Sequence, residues 1–137
     1  MTGFLICTAD NQHIRFRYYN DVSPKTSEAF DNTLPFTKTF FHARLSGHEI
    51  WIDNAPPIDV IQENASVFTE PGEIAIGPIK PTRNKIAGFI GIFYGEGKLI
   101  DCANIFAKVF DDDMEKLKAL GEKIWKQGGQ ELIFEKL

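Results

Sequence analysis

At 137 residues the chain has the length of one ordinary domain, enough to bury a core without disulfides or metals. Its 43% hydrophobic and 25% charged residues exclude wholesale disorder. The net charge is -4 and the Lys and Arg residues are scattered, which excludes a nucleic-acid face, and no apolar run approaches the length of a membrane span.

Residues 2–9 read as a first strand, and Asp10-Asn11-Gln12 as a turn. His13–Tyr18 alternates, with Ile14, Phe16 and Tyr18 on one side and His13, Arg15 and Arg17 on the other, as a half-buried strand does. A short helix follows, with Ser23 as N-cap and Pro24 at its first position. Ala29, Phe30 and Leu34 share one side of it, and Leu34-Pro35 ends it because the residue before proline avoids the α region.

Residues 39–53 read as a hairpin around a two-residue turn, Gly47-His48, with glycine first. That register sets Ser46 opposite Glu49, Leu45 opposite Ile50, Arg44 opposite Trp51, Ala43 opposite Ile52 and His42 opposite Asp53. It sorts Ala43, Leu45, Ile50 and Ile52 onto an apolar face. His42, Arg44, Ser46, Glu49, Trp51 and Asp53 fall on a polar one.

Beyond Ala55-Pro56-Pro57, residues 58–71 read as an irregular crossing loop, Pro71-Gly72-Glu73 as a turn and residues 73–77 as a short strand. Residues 78–84 read as a loop. Residues 87–94 are apolar on both faces, as in a covered central strand, and Gly88 and Gly91 within them mark bends or a close approach. Gly95-Glu96-Gly97-Lys98 reads as a turn and residues 104–110 as a strand. A second helix begins at Asp111 or Asp112, its acidic run suiting the positive end of the helix dipole. Met114, Leu117, Leu120 and Ile124 form its buried stripe, Gly128-Gly129 ends it, and residues 131–137 make a last strand.

Eight short strands and two helices in one domain, residues 1–137, predict a mainly β fold closed into an antiparallel barrel, which leaves no open edge. Twelve Phe, beside three Tyr and two Trp, suit a core filled with rings. Cys7 and Cys102 lie far apart and read as reduced, buried small residues, which places the chain in the cytoplasm.

Two stretches carry a resemblance to a known fold family. Ser23-Pro24-Lys25-Thr26-Ser27-Glu28-Ala29-Phe30 resembles the P-K-T-x-E-N-F start of the first cyclophilin helix, with Ala29 where Asn is usual. Phe41-His42-Ala43-Arg44 resembles the F-H-R strand that carries the cyclophilin catalytic arginine, with one residue inserted. Three further segments are similar to an uncharacterised bacterial family of small cyclophilin-like proteins. They are Gly47-His48-Glu49-Ile50-Trp51-Ile52, Pro71-Gly72-Glu73-Ile74-Ala75-Ile76 and Ile92-Phe93-Tyr94-Gly95. The resemblance spans nearly the whole chain and implies a closed eight-stranded antiparallel cyclophilin-like barrel, with no activity attached. The Q-G-G-D segment of prolyl isomerases is absent, and residues 88–102 supply no His or Trp, which argues against that reaction.

The polar hairpin face is the candidate ligand site: His42, Arg44, Glu49 and Trp51, with Tyr94 from the central strand. His42 can move protons near neutral pH, and Arg44 can grip a carboxylate or phosphate through two bonds. Glu49 can take a proton or orient Arg44, and the Trp51 and Tyr94 rings offer flat walls with a polar tip. Such a set suits a small anionic or amide-containing molecule. The same residues equally describe a solvated outer face held by cross-strand pairs. His13, His42 and His48 lack metal-ligand spacing, so no metal and no cofactor is expected. Gly95-Glu96-Gly97-Lys98 lacks the full spacing of a phosphate loop. Three function classes stand: a small-molecule-binding domain, a prolyl isomerase, and a structural or regulatory subunit that forms homo-oligomers through aromatic surface.

Overall fold

The structure, a computed structural model, describes residues 1–79 and 86–137. Its elements in order are β1 (Gly3–Thr8), β2 (His13–Tyr18), α1 (Pro24–Asp31), β3 (Phe36–His42), β4 (Gly47–Ile52), β5 (Ala65–Phe68), β6 (Glu73–Ile76), β7 (Ile90–Val109), α2 (Met114–Gln127) and β8 (Gln130–Lys136). A single 3-10 turn, Asp111–Asp113, leads into α2.

All eight strands belong to one sheet, and its pairings are antiparallel. The path runs β2-β1-β8-β3-β4-β7, and the far end of β7 pairs back to β2 through Phe16 and Val109. The long strand β7 makes this possible. Ile74 of β6 pairs with both Ile92 and Ala107, so β6 lies between two stretches of the same strand. The local sequence pattern divides these residues into two strands joined by a turn at residues 95–98. They form one extended, bent strand instead. Gly95 and Gly97 serve as close approaches: a Cβ at Gly95 would meet the His48 ring, and one at Gly97 would meet Ser46 O and the Phe93 ring. The crossing loop expected over residues 58–71 likewise contains β5, which pairs with β7. Part of the loop expected over residues 78–84 lies outside the described residues.

The interior is filled by phenylalanine, as the composition suggests. Phe4 stacks on Phe16 with centroids 4.9 Å apart, and Phe36 stacks on Phe134 at 4.6 Å. Helix α1 delivers Phe30 into this cluster, 4.9 Å from Phe4 and 4.8 Å from Phe106. Ser23 does not cap α1 with its side chain; its hydroxyl donates to Ile105 O. The cap comes from far along the chain, where Glu63 Oε1 accepts from the Thr26 N–H at 2.8 Å and the Thr26 hydroxyl at 2.7 Å. A long-range carboxylate satisfies the open N–H groups that a local side chain leaves unmet. In α2 the expected stripe is buried at Leu117, Leu120 and Ile124, and Gly128 (φ 91) ends the helix. The Asp113 carboxylate is taken by Arg15, through its Nε at 2.8 Å and its backbone N–H at 2.8 Å. That pairing holds the Asp113 carboxyl below its ordinary pKa.

The expected hairpin register is wrong. Phe41 pairs with Trp51 and His42 with Ile50, and the Ala43 N–H donates to Glu49 O at 2.9 Å. Compared with the two-residue turn, the strands are offset by an odd number of residues, which exchanges their faces. Phe40, fully buried against Phe134 at 5.4 Å, outweighs Leu45, which stands 88% exposed. Gly47 is not in the turn. It pairs with Gly97 at a bulge in β4, with φ 98, where a Cβ would collide with Glu96 O. Residues 43–46 make the connection. Cys7 and Cys102 are half-buried rather than buried, and the Cys7 thiol donates to Glu135 Oε2 at 3.7 Å. Among the described residues no helix is long and apolar enough to cross a membrane.

Candidate functional site

Alternation along β4 divides its side chains between two apolar clusters. Ile50 and Ile52 join the main core. Trp51 packs on a second cluster that includes Phe89, Phe93 and Leu99. Glu49 has the same parity as Trp51 and stands directly across from Phe93 on β7. Its side chain is therefore laid among rings rather than into water.

The neighbouring position makes room for it. Trp51 pairs with Gly91, and a Cβ there would overlap both Glu49 Oε2 and the Phe89 ring edge. Trp51 and Phe89 are tilted against each other with centroids 6.1 Å apart. Glu49 is 2% exposed. Its Oε1 accepts from the Ser46 hydroxyl. Its Oε2 has no hydrogen-bond partner among the described residues. Burial pushes the carboxyl up from 4.5 to about 7, with the Ser46 bond opposing the shift.

A groove of about 1110 Å³ opens over this corner. Four of the five expected site residues line it: His42, Arg44, Glu49 and Trp51. They do not share one strand face. Arg44 is exposed in the connection beyond β3 and forms no hydrogen bond or ion pair with Glu49, whose partner is Ser46. His42 faces the opposite side of the sheet from Trp51, as its pairing with Ile50 requires.

Tyr94, the fifth, lies under α2 and meets His42 instead. A Cβ at Gly121 would overlap the Tyr94 ring, so this glycine lets the helix close over it. The Tyr94 hydroxyl is 2.7 Å from His42 Nε2, and His42 Nδ1 is 2.7 Å from Ala43 O. His48 stacks on Tyr94 at 5.2 Å, and Trp125 meets the His42 ring edge-on at 4.7 Å. Burial, aided by the Glu122 charge, raises the Tyr94 hydroxyl above its ordinary pKa.

Sequence reasoning missed Phe89 and Trp125 as site neighbours, whereas Ser46, read opposite Glu49 on the polar hairpin face, is the residue that bonds it. Gly91 carried a visible signal, a glycine in an apolar strand, but what approaches it is a carboxyl and a ring. Among the described residues no group of His, Cys, Asp and Glu could hold a metal ion.

The family model "Protein of unknown function (DUF3830)" matches residues 7–135. No curated protein matches the sequence. Solved structures match by fold. One is McbB in complex with tryptophan, with TM-score 0.72 and 13% identity, covering 97% of this chain. The chain spans only 44% of McbB. Another is the hypothetical protein AF2241 from Archaeoglobus fulgidus, with TM-score 0.65 and 18% identity, covering 99% of this chain and 95% of that one. A third is a cyclophilin-type peptidyl-prolyl cis-trans isomerase from Cryptosporidium parvum, in the presence of the dipeptide Ala-Pro, with TM-score 0.59 and 17% identity. It covers 98% of this chain and 96% of that one. At these identities the likeness is one of fold.

Proposed function

Since this chain belongs to the DUF3830 family of unknown function, we propose from its own geometry that it binds a small amide- or amine-bearing organic molecule in the groove over Glu49. One observation carries the reading: a buried carboxyl oxygen that has no partner among the described residues, at the floor of an aromatic-walled groove. Leaving such an acceptor unmet costs about 1–3 kcal/mol, and a ligand N–H recovers that cost. An apolar body would lie against Trp51 and Phe89, as in most small-molecule sites.

The returning pairing of β7 to β2 supports reading the sheet as a closed eight-stranded cyclophilin-like barrel, with this groove on its outer side. Two cysteines that are not joined in a disulfide suit a reducing, cytoplasmic setting. The tryptophan in complex with one fold neighbour and the Ala-Pro dipeptide present with another carry N–H donors, so they make reasonable first probes.

The test is a fragment screen followed by amide chemical shifts of the labelled protein. Tryptophan, Ala-Pro and a panel of small amides and amines should shift Glu49, Trp51 and Gly91 in a saturable way, and Trp51→Ala should remove the response. Shifts confined to the far side of the sheet would dismiss the groove.

A further inference from the structure

We propose that the floor of the groove is a subsite for an organic cation, an ammonium or amidinium group carried on an apolar body, held by Glu49 Oε2 and the rings of Trp51 and Phe89. This rests on the groove reading above and narrows its ligand class.

Three features point to positive charge. The first is the acceptor itself. Oε2 is buried and unpartnered, and Glu49 takes part in no ion pair among the described residues. Once ionised, the carboxyl can only accept, so an anion meets repulsion here and a cation, which favours that ionised form, meets a charge-assisted bond. The second is the wall. Trp51 and Phe89 present aromatic rings, whose faces attract cations and whose apolar surfaces exclude the water that would screen the pair. The third is the division of the groove. Among the described residues, the lining cations Lys38 and Arg44 belong to β3 and to the connection beyond it, not to the β4–β7 pairing that forms the floor. An anion would be drawn to those, and a cation to the floor.

Without ligand, the Phe89 ring edge rests in the space left by Gly91 and covers Oε2. Rings 6.1 Å apart leave no slot for a guest between them. The cation therefore takes the place of the Phe89 edge, which side-chain rotation alone can vacate. The backbone around Gly91 and Glu49 need not move, because both lie in paired strands.

The experiment compares three molecules of one shape and different charge: benzamidine, benzamide and benzoate. Each is titrated calorimetrically into the wild-type protein and into Glu49→Gln, which keeps the size of the side chain and can donate as well as accept. Benzamidine should bind at least about tenfold more tightly than benzamide, the gap between a charge-assisted and a neutral hydrogen bond, and benzoate should be weakest. Glu49→Gln should bring benzamidine and benzamide to within about twofold of each other. Equal affinities in the wild type, or a preference for benzoate, would overturn the cation subsite while leaving the groove reading standing. No saturable heat from any of the three would overturn both. Trp51 shifts in the wild-type protein must accompany benzamidine binding; heat without them would place the cation elsewhere and overturn the assignment.

Discussion

Trp51 stands directly across from Gly91 on the neighbouring strand, and the side chain that Gly91 lacks is what gives Glu49 and Phe89 their place. Gly91→Ala would put a Cβ into both. The Glu49 carboxyl and the Phe89 ring must then shift together, and the Trp51–Phe89 contact opens. Overpacking of this kind costs about 1–3 kcal/mol, read from a denaturant melt, with a change in tryptophan emission. A change below about 0.5 kcal/mol would mean that the glycine is not what admits the carboxyl.

Glu49 should also give the fold a distinctive response to pH. Burial raises its folded pKa from 4.5 to about 7. Between those values the folded protein keeps a proton that the unfolded chain has released. Stability therefore falls as pH rises through this window and levels off above it. Glu49→Gln has no proton to lose, so it should gain on the wild type across the window. At and above pH 7 its advantage should approach roughly 3 kcal/mol at most. Urea melts of both proteins across the window measure it. A difference between them that stays constant with pH would show that Glu49 titrates normally.

Much of the fold was legible from local pattern. His13–Tyr18 buries Ile14, Phe16 and Tyr18 as its alternation predicts, and α2 buries the stripe read from its spacing. What failed was decided by distant contacts. The Gly47 signal fits a tight turn as well as it fits a close crossing, and only the presence of Gly97 on β7 distinguishes them. The Ser23 signal fits a helix cap, yet the acceptor is Glu63, far along the chain. Glu49 was legible as a polar residue of interest. Its isolation was not, because that depends on a glycine and a phenylalanine some forty residues later, close neighbours only across the β4–β7 pairing.

The His42–Tyr94 contact fixes which nitrogen carries the hydrogen. Ala43 O can only accept, so His42 Nδ1 must donate to it, and Nε2 is left to accept from the Tyr94 hydroxyl. The neutral ring should therefore be the Nδ1–H tautomer, the reverse of the usual preference of free imidazole. Long-range proton–nitrogen NMR in mildly alkaline buffer, where an ordinary imidazole is neutral, reads this directly. Tyr94→Phe removes the donor to Nε2 and should cost about 1–3 kcal/mol of stability. An Nε2–H signal for His42 in the wild type would refute the arrangement.

Arg44 bears on the isomerase alternative. The resemblance to the cyclophilin F-H-R strand implies an arginine fixed on a strand and aimed over a bound peptide. Here the strand ends two residues before the arginine. β3 stops at His42, and the Ala43 N–H still reaches Glu49 O. Arg44 then begins the connection to β4 and stands exposed. Among the described residues no hydrogen bond or ion pair holds the direction of this guanidinium, so it is not pre-aligned with a peptide carbonyl, and alignment is most of what such a residue contributes. A protease-coupled assay on a proline peptide should therefore give the uncatalysed rate. Arg44→Ala should leave that rate unchanged and move stability by less than about 0.5 kcal/mol, as exposed substitutions do. The two readouts separate the readings. Catalysis lost in Arg44→Ala at unchanged stability would mean that the connection reorganises around a peptide and restores the isomerase geometry. Catalysis that survives Arg44→Ala but disappears in Glu49→Gln would move the chemistry to the buried carboxyl.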